Sequence, residues 1–136
     1  MKRFVVAESS MAPTLNPGDY LLAMRLQRPR SGDIVVFEHH PGYFMVKRIV
    51  AVAGDKVEID QGSVFVNGAP ERSPGYGLTY PSGIWVVGEE EVFVLSDNRE
   101  ATSADSRTFG PIQAVGSLKV RFRYWPHPAR FGTTRT

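Results

Sequence analysis

Three polar clusters interrupt an apolar, turn-rich chain of 136 residues, and each offers side chains suited to nucleophilic chemistry. Ser10 opens the stretch Ser10-Met11-Ala12-Pro13-Thr14-Leu15. Lys47 sits inside the apolar run Phe44–Ala53. Ser96-Asp97-Asn98-Arg99 is followed closely by Ser103-Ala104-Asp105-Ser106-Arg107. A serine hydroxyl is a poor nucleophile until a neighbouring base removes its proton. Lys47 has the surroundings of such a base, because Met45, Val46, Ile49, Val50 and Val52 belong in a core. Burial disfavours the ammonium and draws a lysine down from about 10.4 toward neutrality. On its own, Lys47 could equally snorkel from a sheet edge beside Arg48.

Pro13 and Pro17 restrict the backbone after Ser10, and a fixed orientation is what a nucleophile needs. A purely structural turn would carry the same prolines. The third cluster holds acids, arginines and hydroxyls between the apolar anchors Leu95 and Phe109, and can knit itself together through charged, bidentate hydrogen bonds or stand as a solvated loop. The histidines are weaker candidates for the base. His39 and His40 lie in a turn-like His-His-Pro-Gly stretch and His127 lies between prolines, so all three read as exposed loop residues.

Composition narrows the chemistry further. The chain has no cysteine, which excludes a thiol protease, a disulfide scaffold and a Cys-ligated zinc. No metal-ligating cluster or cofactor motif is visible, so neither a metal nor a cofactor is expected. Lys and Arg number 16 against 14 for Asp and Glu, and a net charge of +2 gives no argument for a nucleic-acid partner. The basic surplus is local, at Lys119, Arg121, Arg123, Arg130 and Arg135. No apolar run approaches the roughly 20 residues of a membrane span, and Phe4–Ala7 is too short for an export signal of about 7 to 15 apolar residues.

The elements that must position these clusters read as strands. Scattered Gly and Pro, 13 and 10 in number, separate short apolar runs, the texture of an all-β domain. Expected strands are Phe4–Ala7, Tyr20–Leu26, Ile34–Phe37, Phe44–Ala53, Val57–Ile59, Val64–Val66, Ile84–Val87 and Val92–Leu95. Asn16-Pro17-Gly18-Asp19 is a turn signal, Asp60–Ser63 a hairpin loop, and residues 69–83 a loop. From Leu118 to Tyr124 apolar and basic residues alternate, which marks a strand with one buried and one wet face. No amphipathic helix is evident. The chain reads as a single domain, 1–136, with 56–96 as a small inserted hairpin and loop region.

Taken together, the clusters resemble, in order and wording, the signature boxes of the type I signal peptidase family, the serine–lysine endopeptidases. The Ser10 hexapeptide resembles the nucleophile box, and Gly32-Asp33-Ile34-Val35-Val36-Phe37 the strand box after it. Lys47-Arg48-Ile49-Val50 through Gly54-Asp55 resembles the general-base box, and Asp97–Arg107 with Gly110 the final box. Phe122-Arg123-Tyr124-Trp125-Pro126 resembles a common family ending. The resemblance implies a coiled, mostly antiparallel β structure in which Ser10 is the nucleophile and Lys47 the general base. It further implies that Ser103 hydrogen-bonds Lys47, that Asp97 and Arg107 form a supporting salt bridge, and that Asp105 adds support. The substrate would be a protein or peptide bound as an extended strand, with small side chains before the cut.

The sequence departs from the family pattern at three points. Glu8 stands where some members place an oxyanion-hole hydroxyl, so the Ser10 backbone N–H is expected to be the main donor and Glu8 to point away or meet a basic group. Ser96 replaces a customary glycine. The stretch from Arg99 to Ser103 is one residue longer than in well-known members. Tyr76, Tyr80 and Trp85 could rim the groove, touch a membrane surface or pack a small subdomain.

With no room for an anchor before Ser10, the reading favours a cytoplasmic enzyme that matures a proprotein, such as a nickel superoxide dismutase precursor. The nickel would belong to that substrate. The alternatives are a membrane-associated signal peptidase whose anchor lies outside the sequence, a self-cleaving stress-response regulator, and a non-enzymatic β module that binds peptide or nucleic acid through its basic C-terminal strand.

Overall fold

The computed structural model of the chain describes residues 1–72 and 75–132. Its strands are β1 (Lys2–Val5), β2 (Tyr20–Arg25), β3 (Ile34–His40), β4 (Tyr43–Val52), β5 (Lys56–Asp60), β6 (Ser63–Val66), β7 (Ala69–Pro70), β8 (Gly83–Val86) and β9 (Glu91–Leu95). A one-turn helix, α1 (Ser106–Phe109), precedes β10 (Ile112–Gln113), β11 (Leu118–Trp125) and β12 (Ala129–Arg130). The expected all-β, mostly antiparallel architecture is what forms. One sheet runs β1-β2-β11-β3-β4-β9-β10 with β12 beside β11, and a second runs β7-β6-β5-β8.

The inserted unit is smaller than the sequence suggests. The second sheet closes at Val86, and Glu91–Leu95 returns to the first sheet to pair with β4. Trp85 packs on Phe93, with ring centroids 5.1 Å apart, in the apolar layer that joins the two sheets. That layer also holds Val50, Val57, Ile59, Val64 and Leu95. Trp85 is therefore a packing residue rather than a groove rim, while Tyr76 and Tyr80 are exposed.

Two features of the first sheet matter for the site. β1 is an outermost strand, paired only with β2 from Lys2↔Ala23 to Val5↔Tyr20. β4 pairs with β3 from His40↔Tyr43 to Ile34↔Arg48, but its ladder with β9 begins only at Arg48↔Leu95. The Tyr43–Lys47 half of β4 therefore keeps one backbone edge outside that ladder, facing the region of β1.

Residues 6–19 form the loop between β1 and β2. Met11 and Leu15 are 1% and 0% exposed and anchor it in a cluster with Leu21, Ala23, Ile34, Val36 and Val120. Burying each such side chain contributes about 1.5–3 kcal/mol. The Leu15 N–H donates to the Met11 carbonyl at 2.9 Å, which tightens the backbone just after Ser10. The loop ends in the expected turn. There the Asn16 N–H donates to Asp19 Oδ2 at 2.8 Å, and Gly18 takes the positive φ of 92° that few other residues tolerate.

The first strand starts two residues earlier than expected, and the alternation of residues 118–124 is broken by register shifts between Val120 and Phe122 and between Arg123 and Trp125. Two of the three basic side chains of β11, Lys119 and Arg123, are used internally. Lys119 pairs with Asp33 at 3.4 Å, and Arg123 donates to the Thr14 carbonyl at 2.9 Å and reaches Asp19 at 3.4 Å. Arg135 lies outside the described residues. The expected 69–83 loop is partly structured, with β7 and bridges from Gly62 to Thr79 and from Tyr76 to Asn98.

Candidate active site

Ser10 and Lys47 line one cleft, with walls from β1 (Phe4, Val5) and from the free-edged half of β4 (Phe44, Met45, Val46). Its volume is about 130 Å³. That is below the roughly 300–1,000 Å³ of small-molecule pockets. Phe4 and Phe44 meet across it with centroids 5.6 Å apart. No histidine lines this cleft, and His39 instead packs on Phe109 at 4.5 Å.

Lys47 is 3% exposed. Desolvation by its apolar neighbours pushes its ammonium below the ordinary lysine range. The negative charges of Asp105 and, more weakly, Glu8 pull the other way, and Arg107 adds a small further lowering. Burial wins, so the neutral amine needed for proton abstraction is favoured. The snorkelling alternative is excluded by the burial itself. Lys47 Nζ donates to Ser96 Oγ at 2.9 Å. Among the described residues it makes no direct hydrogen bond to Ser10.

The loop after β9 holds Ser10 and Lys47 in register. The Asn98 N–H donates to the Ser10 carbonyl at 2.9 Å and the Asn98 side chain to the Ser9 carbonyl at 3.1 Å. Thr14 Oγ1 donates to Asp97 Oδ2 at 2.7 Å, and the Asp97 N–H meets the Met11 sulfur at 3.4 Å. The nucleophile box is thereby stitched to the final box, 83 residues away along the chain at the Thr14–Asp97 contact.

Two expected pairings are different in the structure. Asp97 does not pair with Arg107. It takes a bidentate bridge from Arg48, with Nε to Oδ1 and Nη2 to Oδ2 both at 2.8 Å. Arg107 pairs instead with Asp105, through Nε to Oδ1 at 2.9 Å and Nη2 to Oδ2 at 2.7 Å, and donates also to the carbonyls of Tyr80, Arg99 and Thr102. The reason is local. Asp105 caps α1 by accepting the Arg107 N–H, which places the two side chains together, whereas Arg48 leaves β4 directly beside Asp97.

Ser103 does not reach Lys47. It is exposed, on the rim of a separate cleft with Leu78, Tyr80 and Thr102. Its carbonyl accepts the Asp105 N–H at 2.8 Å in a tight turn that buries Asp105 and sends Ser103 outward. Asp105 accepts the Ser96 N–H at 2.9 Å, beside the Lys47 contact.

The final box gives Arg99 no role of its own, but the structure does. Arg99 is 2% exposed and forks onto Glu71 at 2.9 and 2.8 Å while donating to Thr79 at 3.1 Å, so it clamps the final box to the second sheet. Glu8 lines the cleft on its exposed side, and its charge opposes the lowering of Lys47.

Comparison with known proteins places this geometry in a family. Residues 1–125 match the model of "Signal peptidase, peptidase S26". Signal peptidase IB of Staphylococcus aureus (strain N315) is 33% identical over 150 residues, covering 90% of this chain and 77% of that protein. Thylakoidal processing peptidase 1, chloroplastic, of Arabidopsis thaliana is 34% identical over 148 residues, covering 95% of this chain and 43% of that one. A signal peptidase I from Enterococcus faecalis V583 shares the fold, with a TM-score of 0.56 at 22% identity over 70% of this chain and 97% of that one. With the family model spanning both Ser10 and Lys47, the chain belongs to the type I signal peptidase family and is a serine endopeptidase that cleaves signal or leader peptides.

Proposed function

We propose that Ser10 is the nucleophile and Lys47 the general base of this peptidase. The observation that carries the reading is a buried lysine, driven toward its neutral form, lining the same small cleft as a serine. The substrate enters as an extended strand between β1 and the free edge of β4, where backbone hydrogen bonds supply affinity and the shallow cleft selects small residues before the cut. Lys47 takes the Ser10 proton as Oγ attacks the scissile carbonyl carbon. The oxyanion is met by the Ser10 backbone N–H. Collapse breaks the C–N bond, and the Lys47 ammonium returns its proton to the leaving amine. Water, deprotonated by Lys47, then hydrolyses the Ser10 ester.

For the substrate we favour the leader of a cytoplasmic proprotein, with a nickel superoxide dismutase precursor as the specific candidate. The compact inserted sheet, closed within residues 56–86, supports a small dedicated protease. No helix among the described residues is long and apolar enough to cross a membrane. The competing substrate class is exported preproteins, which the names of the relatives favour. N-terminal proteomics of host cells carrying wild-type or S10A enzyme separates the two. A mature terminus lost from a cytoplasmic metalloprotein in the S10A cells supports the first, and losses confined to exported proteins overturn it.

A further inference from the structure

Two departures from the family pattern meet at one atom. The resemblance to the family implies a glycine at position 96 and a lysine-binding hydroxyl at Ser103; the chain has Ser96 at the first, and Ser103 is exposed. Ser96 is 0% exposed, and its Oγ lies 2.9 Å from Lys47 Nζ. We propose that Ser96 is the positioning residue for Lys47, its hydroxyl replacing the one that the longer loop has carried away at Ser103. The inference rests on Lys47 being the general base.

Ser96 is built to hold a fixed direction. Its N–H donates to Asp105 Oδ2 at 2.9 Å, and its carbonyl accepts from Arg99 Nε. Asp105 is itself gripped by the Arg107 guanidinium, and Arg99 by Glu71. A relay of buried, charge-assisted bonds thus fixes the serine on both sides of its Cα. Lysine needs such an anchor, because its flexible four-carbon stem has many rotamers. Ser96 Oγ accepts an N–H from Nζ, which leaves the lone pair of the neutral amine free to face Ser10. A glycine at position 96 offers no acceptor, and the exposed Ser103 offers none within reach. The substitution and the insertion therefore read as one compensated change.

The test compares wild type with S96A, S96G and S103A on a fluorogenic peptide bearing an Ala-x-Ala cleavage site, with S10A as the inactive reference. S96A and S96G are expected to lower kcat by about 10- to 100-fold with KM within about twofold, the signature of a misaimed base. S103A is expected to stay within about twofold in both. Because the ammonium loses an acceptor, the acid limb of the S96A kcat profile moves to lower pH. The same direction is expected for Lys47 in a titration of [13Cε]lysine-labelled protein in the S10A background. Wild-type kcat and an unmoved Lys47 titration in S96A, or the kcat loss appearing in S103A instead, overturns the proposal. If S96A fails to fold, S96G decides the question by the same readings. An S10A variant that still turns over brings down the dyad itself, whereas an inactive S10A beside an unaffected S96A removes only the role of Ser96.

Discussion

Arg48 grips Asp97 through two parallel N–H···O bonds of 2.8 Å, with the carboxylate fully buried and the arginine 11% exposed. The same carboxylate accepts the Thr14 hydroxyl at 2.7 Å. One aspartate thus connects β4, which carries Lys47, to the loop that carries Ser10. Consecutive residues of a strand project to opposite faces. Lys47 can therefore serve the cleft while its neighbour Arg48 fastens the strand to the final box.

Removing that carboxylate strands a partly buried guanidinium. D97A is expected to cost about 3–5 kcal/mol and to lower Tm by about 10 °C or more, read by calorimetry. R48K should recover only part of the loss of R48A, since a lysine cannot reproduce the planar fork. A D97A enzyme with wild-type Tm would contradict the stitching role.

Met11 fills the core directly beneath the nucleophile and meets the Asp97 N–H with its sulfur. M11A is expected to destabilise by about 2–5 kcal/mol, as for other buried large-to-small changes. It should also lower kcat, because Ser10 rides on the turn that Met11 anchors. Chemical denaturation and peptide turnover on the same preparation check both effects.

Burial and Asp105 dominate the pKa of Lys47, and Glu8 adds a smaller pull toward the charged form. With Lys47 as the base, activity is expected to rise with pH as Lys47 loses its proton, and the Glu8 carboxylate favours keeping that proton. E8Q is therefore expected to move the acid limb of kcat/KM to lower pH. Below the wild-type limb E8Q should be the faster enzyme, helped further by losing a negative charge near the developing oxyanion. A limb that moves to higher pH would contradict the placement of Glu8 in the cleft.

The depressed Lys47 also fixes the sign of a stability effect. Its folded pKa lies below the unfolded value of about 10.4, so between the two the unfolded chain binds more protons and wild-type stability rises with pH. Below the folded pKa both states are charged and the full burial penalty applies. K47M is expected to melt above wild type at pH 7, with the gap closing as pH rises through the alkaline window. Paired thermal melts across pH 7–10.5 read the slope directly, and a widening gap would contradict the burial penalty.

The sequence exposes Lys47 because a lone cation in an apolar strand is chemically conspicuous, and Ser10 because prolines and companion motifs surround it. What it hides are pairings that depend on register. Ser96 reaches Lys47 across 49 residues, and only the β4–β9 ladder, with its shift between Ile49 and Ala51, brings them together. The partners of Asp97 and Arg107 were exchanged for the same reason, since composition reveals the charges of a loop but not which way its turns face. α1 spans a single turn, too short to leave a periodic pattern. The Arg99–Glu71 clamp lies between a loop and an inserted sheet whose relative placement no local motif encodes.

Turnover of one peptide substrate by S10A, K47A and the double variant tests the dyad most directly. Each single change is expected to lower kcat/KM by about 10³-fold or more, and the double variant to fall little further, because a nucleophile and its base act as a unit. Near-unchanged circular dichroism should accompany the loss. Either single variant within about tenfold of wild type, or losses that multiply in the double variant, would contradict the pairing of Ser10 with Lys47.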